Sequence, residues 1–339
     1  MKILVTGSAG FIGGYVVEEL LSQGHQVVGI DNFSKYGRVK RSYDSNKNYT
    51  FVKADVKNTT LLTKLAKDCD YLIAGAAKIG GISYFHEFAY DLLAENERII
   101  ASTFDAAIDA YKNGKLKKIV VMSSSMVFES TTVYPTPESA LIKTPPPQST
   151  YGFQKLACEY FAKGAWEQYK LPYTIVRPFN CVGIGEMRAK SEVTVKSGNI
   201  KLAMSHVVPD LVQKVLKGQN PLHILGSGKQ IRHYTYGGDL AKGILLATFS
   251  KKARNNDFNL STSESTTVLQ LAKLIWKKVH PDKPFRYVSD KPFVYDVQKR
   301  VPDTKKAEKI LGFNATTTLS EMLDEVIPWI RVQIAQGNI

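Results

Sequence analysis

Ile3-Leu4-Val5-Thr6-Gly7-Ser8-Ala9-Gly10-Phe11-Ile12-Gly13 decides the fold. Four residues suited to a buried strand end at a glycine, and over residues 11–23 the apolar positions recur at helical spacing. Between the two, Gly7 and its partners at 10 and 13 allow a tight turn at positive φ and close approach of backbone to a ligand. A helix that opens directly after such a turn offers unpaired N–H groups to an anion. Glycine is common in turns, and G-x-x-G-x-x-G is not the G-x-G-x-x-G of many dehydrogenases, so the strand–turn–helix context carries the reading. The expectation is a pyrophosphate cradle made by Gly7, Gly10, Phe11, Ile12 and Gly13; the alternative is a tight turn without ligand.

Outward from this point the pattern repeats. Strands are expected at 27–30, 71–74, 118–122 and 173–177, with helices at 61–67, 92–112 and 151–169. Short β-rich runs alternating with helices predict an α/β fold: a doubly wound parallel sheet covered on both faces. After Asn180 the rhythm changes. Residues 183–201 are polar and irregular, and helices at 206–217 and 240–248 flank a glycine-punctuated loop at 226–238. The expected division is a dinucleotide-binding domain over 1–180, rejoined by 229–262, and a smaller C-terminal α/β lobe within 181–339.

Asp31 ends the second strand, 24 residues after Gly7. A carboxylate there accepts ribose hydroxyls and repels a 2′-phosphate, so the expected cofactor is NAD rather than NADP. Asp55-Val56 ends the next strand and suits an adenine edge, or is an ordinary strand end.

The chain has 339 residues, 44% of them hydrophobic, which excludes a wholly disordered protein. Its net charge of +14 raises nucleic acid or an anionic membrane as partners. Only 10 of the 45 basic residues are arginine, however, and the lysine clusters lack interleaved aromatics. The charge therefore reads as a solvated surface, with no nucleic-acid or membrane partner. Cys69, Cys158 and Cys181 form no CxxC pair and are expected to be reduced. No window reaches 18 apolar residues and no metal-ligand cluster stands out, so a soluble, cytoplasmic, metal-free protein is expected.

Tyr151-Gly152-Phe153-Gln154-Lys155 puts a phenol and an ammonium at i and i+4 on one helical face. The ammonium, with an oxidised nicotinamide, would lower the phenol pKa and make it a usable base. Ser124 closes a strand at the carboxyl edge of the sheet, where ligands gather in open α/β sheets. Alone, a Tyr/Lys pair is more often a surface coincidence; with the cradle, Asp31 and the serine cluster in chain order it reads as a reactive site.

These motifs resemble the extended short-chain dehydrogenase/reductase superfamily with its Rossmann domain, in the nucleotide-sugar epimerase/dehydratase branch. The resemblance covers essentially the whole chain. It rests on the 6–13 stretch, Asp31-Asn32, Ser123-Ser124-Ser125-Met126-Val127-Phe128, the Tyr151/Lys155 pair and Arg177-Pro178-Phe179-Asn180. Further on lie Arg232-His233-Tyr234 with Asp239, Arg300-Val301-Pro302-Asp303 and Leu311-Gly312-Phe313. The resemblance implies Ser124 as catalytic hydroxyl, Tyr151 as base, and Lys155 as tuner of Tyr151 and holder of the nicotinamide ribose. It adds Asn32, Asp55, Val56, Ala76, Lys78 and Asn96 to the cofactor site. Gly81, Ser125, Asn180, His206, Arg232 and Arg300 then fall to a nucleotide-diphosphate sugar, the arginines at its diphosphate. A homodimer through the helices at 92–112 and 151–169 is implied as well.

Sugar 4,6-dehydratases resemble T-D-E after the catalytic hydroxyl, and decarboxylating members usually carry Glu there. Here Ser125-Met126 offers no titratable group. Residues 76–82 and Ser205-His206-Val207-Val208-Pro209 resemble GDP-fucose synthase, but its Cys two residues after the catalytic Ser is replaced by Met126. The reaction expected is inversion at C4 of an NDP-hexose through a 4-keto intermediate. Net oxidation, 4-keto reduction or another dehydration stays open at this point, as does a non-catalytic RNA-binding or sensing member.

Overall fold

The computed structural model describes residues 1–35, 37–79, 88–186, 192–195, 198–201, 206–292 and 297–338. Seven strands form one wholly parallel sheet: β1 (Lys2–Thr6), β2 (Gln26–Asp31), β3 (Tyr49–Lys53), β4 (Tyr71–Ala74), β5 (Lys118–Met122), β6 (Tyr173–Pro178) and, far along the chain, β13 (Asn256–Leu260). Their spatial order is β13-β6-β5-β4-β1-β2-β3. The order reverses between β1 and β4, so a crevice opens beyond the carboxyl ends of those two strands. The inner strands are buried on both faces, β5 completely, which explains why they read as apolar runs, whereas edge strand β3 stays partly exposed.

Helices α1 (Phe11–Ser22), α2 (Thr59–Ala66), α3 (Ala89–Asn113) and α4 (Thr150–Tyr169) connect the first six strands. α1 opens at Gly10 with no side-chain cap, so its first N–H groups face the crevice. α4 is capped by the Ser149 hydroxyl, which accepts from Gly152 N, and it stops where Lys170 turns left-handed at φ 60°.

The smaller lobe contains α5 (Val207–Leu216) and α7 (Val268–Val279), with α6 (Gly237–Phe249) between them in sequence. Further along the sequence come α8 (Lys305–Leu311) and α9 (Leu319–Ala335). Short strand pairs accompany these helices: β7 (Cys181–Val182) with β12 (Thr235–Tyr236), β10 (Leu222–Leu225) with β15 (Tyr287–Asp290), and β11 (Ile231–Arg232) with β14 (Thr266–Thr267). β8 (Glu192–Val195) and β9 (Gly198–Lys201) pair antiparallel inside the segment read from sequence as irregular.

Three large apolar cores and a small one around Val127, Phe128 and Phe179 hold the described residues together. Two lie on opposite faces of the large sheet, and the third joins α5, α7 and α9. α6 and β13, within the expected return at 229–262, pack with the large sheet, and α8 joins them from beyond it. Leu240, Ile244, Phe258, Ala307, Leu311 and Phe313 share the core of Ile3, Val16 and Val120. The return at 305–313 was not foreseen: a seven-residue helix shows little periodicity. At the seam, Tyr15 of α1 accepts a hydrogen bond from Ile184 N at 2.9 Å and meets Tyr236 edge-on, whose hydroxyl donates to Glu325 at 2.8 Å. Among the described residues, no helix is long and apolar enough to cross a membrane, and no metal-binding cluster occurs. Cys69, Cys158 and Cys181 are free thiols.

Candidate active site

The loop after β1 is as tight as its glycines allow. Gly7 sits at φ 73°, its N–H donates to Ile30 O at 2.9 Å, and Gly10 N closes back on Gly7 O at 3.1 Å. A Cβ at Gly13 would lie only 2.1 Å from Gly7 O, so the helix start and the turn touch backbone to backbone. Asp31 stands beside this cradle. One carboxylate oxygen accepts from Ala9 N at 3.1 Å and the other from Phe33 N at 2.7 Å. Each oxygen keeps a further lone pair, which suits the vicinal hydroxyls of a ribose. Burial raises the Asp31 pKa, and the surrounding N–H groups offset part of that rise. The uncapped helix start, the closed-down loop and the paired acceptors together fit a dinucleotide.

Asn32 reaches the Asp55 carboxylate at 3.2 Å, joining the ends of β2 and β3. Lys78 lines the crevice, and burial lowers its pKa against the opposing pull of Glu95. Asn96 does not line the crevice. It is buried and clamps the main chain of Lys78 instead, accepting from its N–H at 2.7 Å and donating to its carbonyl at 2.9 Å.

The reactive side chains come from two neighbouring elements. Ser124 ends the extended run after β5, and its hydroxyl accepts from Met126 N at 3.2 Å, capping a short 3-10 turn over Ser125–Phe128. From α4, the Lys155 ammonium donates to Met122 O at 2.8 Å and lies 6.0 Å from the centre of the Tyr151 ring. Ser123 is bonded differently from Ser124: its hydroxyl donates to Glu159 at 2.5 Å and lies 3.4 Å from Lys155 O. Ser125 and Met126 line the crevice, so the two positions after Ser124 place a hydroxyl and a thioether there. Sequence reasoning missed Glu129, which also lines it. Its Oε2 accepts from Ser149 N and Oγ at 3.0 and 2.9 Å and so steadies the start of α4.

The far wall belongs to the smaller lobe. Asn180, at φ 35°, donates to His233 O at 3.3 Å, and Arg232 is buried with Nη1 on Ile231 O at 2.9 Å. Arg300 is drawn to the same place because its N–H donates to Ile231 O at 3.1 Å, so both arginines reach one cleft from segments 68 residues apart. His206 lines the cleft with its ring on the Glu186 carboxylate. Gln230, Ile224 and Leu225 complete this wall. Gly81 lies outside the described residues. The cleft measures about 400 Å³ and is continuous from the 7–13 loop to Arg300.

Known proteins resemble this chain over nearly its whole length. The crystal structure of a UDP-glucose 4-epimerase from Thermotoga maritima with UDP-glucose superposes with a TM-score of 0.80 at 28% identity, covering 98% of this chain and 100% of that one. A UDP-glucuronic acid 4-epimerase from Bacillus cereus, in complex with UDP-glucuronic acid and NAD, gives 0.82 at 26% identity, covering 98% and 99%. A UDP-N-acetyl-alpha-D-glucosaminuronate decarboxylase from Bacillus cytotoxicus is 26% identical over 97% of this chain and 98% of its own length. The family model for the NAD dependent epimerase/dehydratase family matches residues 3–261, and the chain belongs to that family.

Proposed function

We propose that the protein is an NAD-dependent nucleotide-sugar 4-epimerase, acting on a UDP-hexose as the similar epimerases do. The observation that carries the reading is the composition of one wall: Ser124, Tyr151 and Lys155 meet at the carboxyl edge of the sheet while Ser125 and Met126 follow without a carboxylate. Elimination or decarboxylation would call for an acid or base at those two positions. Glu129 is a poor substitute, since one of its oxygens already takes both donors of Ser149.

The 7–13 loop and Asp31 would hold the dinucleotide by its diphosphate and a ribose, and Asn32, Asp55, Val56 and Ala76 would border it. When bound, the nicotinamide supplies a site that accepts a hydride and gives it back. Tyr151 removes the C4-hydroxyl proton through its phenolic oxygen, with Lys155 stabilising the phenolate and Ser124 hydrogen-bonded to the same sugar oxygen. Loss of hydride from C4 leaves a 4-keto sugar. Arg232 and Arg300 grip the diphosphate, so the keto sugar turns about its own linkage while the nucleotide stays fixed. Tyr151 returns the proton once the opposite face of C4 has been reduced, and C4 is inverted without net redox. The smaller lobe serves as the nucleotide-sugar side of the cleft, with Asn180 and His206 near the sugar.

The protein also fits a homodimer. A groove between α3 and α4 exposes Phe153 and Tyr160 over an apolar floor that includes Phe104 and Phe161.

The test is incubation of the purified enzyme with UDP-, GDP-, CDP- and dTDP-sugars, products read by NMR. A C4 epimer that disappears with Tyr151→Phe, while NAD binding persists, supports the reading. A dehydrated, decarboxylated or net-reduced product would overturn it.

A further inference from the structure

Behind the reactive wall lies a cluster of charges, buried at its centre and partly exposed at its rim, with no part in the proton transfers. Arg177 of β6 forks Glu159 of α4, its Nε on one carboxylate oxygen and an Nη on the other, each at 2.7 Å. Neither side chain is more than 1% exposed. The same guanidinium reaches Asp257 of β13 at 2.8 Å, and Lys306 of α8 reaches Asp257 at 2.6 Å. Two acids and two bases thus balance across four elements. A buried ion pair is weak as a source of stability, because desolvation offsets the attraction, so its placement invites another explanation.

That explanation is geometric. Tyr151, Lys155 and Glu159 recur every four residues along α4, so the carboxylate stands one turn behind the ammonium on the same face. Glu159 takes the Ser123 hydroxyl at 2.5 Å, and the Ser123 N–H is held by Val176 O of β6 at 2.9 Å. Ser123 is therefore fixed to α4 and β6 together, and the next residue is Ser124. Arg177 also lies 5.1 Å from the centre of the Phe128 ring, bracing the turn that Ser124 caps.

We propose that Ser123 and Glu159 are positioning residues: through the Arg177-anchored carboxylate they hold Ser124 at its working distance from Tyr151 and Lys155. The proposal rests on the 4-epimerase reading. It assigns unequal tasks to three adjacent serines, with Ser124 at the reacting oxygen and Ser123 as the pin.

The experiment measures kcat, KM and the pH–rate profile of the full-length enzyme on the UDP-hexose it turns over, for Ser123→Ala, Glu159→Gln and the double variant. Misplacement of a reacting group by a fraction of an ångström predicts a kcat loss of about tenfold or more for Ser123→Ala, with KM and NAD affinity within about twofold. The pH–rate profile should change as well, because the Ser124 hydroxyl that shares the reacting oxygen with Tyr151 is displaced. Glu159→Gln should lose less in the Ser123→Ala background than alone, since both act through one hydroxyl. An unchanged kcat and pH profile, with only the melting temperature lowered, would overturn the proposal, as would a loss confined to KM. If Ser123→Ala does not fold, Glu159→Gln alone decides by the same kcat-against-KM split. Failure of the unmutated enzyme to epimerise any nucleotide sugar would overturn the parent reading, and this proposal with it.

Discussion

Gly13→Ala is the sharpest test of the dinucleotide loop. The added Cβ would sit 2.1 Å from Gly7 O, 2.9 Å from Gly7 C and 3.1 Å from Ser8 Cα. All three are backbone atoms of the loop that would receive the diphosphate, so no flexible side chain can swing aside. The closest contact falls about 0.9 Å short of the 3.0 Å that real Cβ atoms respect. Overpacking of this kind costs about 1–3 kcal/mol. Because the strain pushes the loop away from the ligand, most of it should appear in binding, as roughly a 5- to 150-fold weaker NAD affinity. Calorimetric titration of wild type and variant with NAD measures this directly, with melting temperatures taken in parallel. Gly24→Ala is the control: its φ is also positive, at 75°, but nothing lies within 4 Å of the new methyl. It should lose some stability and leave NAD affinity alone. An NAD affinity for Gly13→Ala within twofold of wild type would refute the assignment of this loop as the diphosphate cradle.

Three further outcomes are expected. Removing Arg177 as Arg177→Met strands the buried Glu159 carboxylate, and denaturant titration should show a loss of about 3–5 kcal/mol. Lys118 is buried with its ammonium on Ala247 O, and burial pushes its pKa from the ordinary 10.5 down to about 8. Below about pH 8 both folded and unfolded states hold the proton; between 8 and 10.5 only the unfolded chain does, so wild-type stability should climb there relative to Lys118→Met, by up to roughly 3 kcal/mol. A flat difference across that range would contradict the burial argument. On the homodimer proposed above, Tyr160→Glu at an exposed α4 position should leave only monomer in sedimentation; a dimer that survives the substitution would refute that seam.

Much of this was legible in the sequence because its signals were local. The 7–13 loop, Asp31 and the Tyr151/Lys155 pair each declare themselves within a few residues, and parallel strands buried on both faces stand out as apolar runs. What escaped depends on contacts between distant segments. Glu129 reads as an ordinary surface acid until Ser149, twenty residues on, closes over it. Asn96 was assigned to the cofactor, yet its amide serves the main chain of Lys78, a pairing that spacing cannot reveal. Counting back from Phe128 singled out Ser124 among three serines, but only the position of Glu159 gives Ser123 a task. The strand pair at 192–195 and 198–201 carries few apolar residues to mark it, and α8 is too short for a period to show.

The interleaving of the two lobes also fixes an order of events at the ribosome. The strand at 256–260 completes the edge of the large sheet beside β6, and Asp257 brings the second carboxylate to Arg177. The apolar groups at 307–313 close one face later still. A nascent chain of 180 residues can therefore form its first six strands, but one sheet edge stays open and one core face stays wet until more than 300 residues have emerged. A cell making this enzyme must shield that edge through the second half of synthesis, and a truncation that spares every reactive side chain before residue 180 should still aggregate.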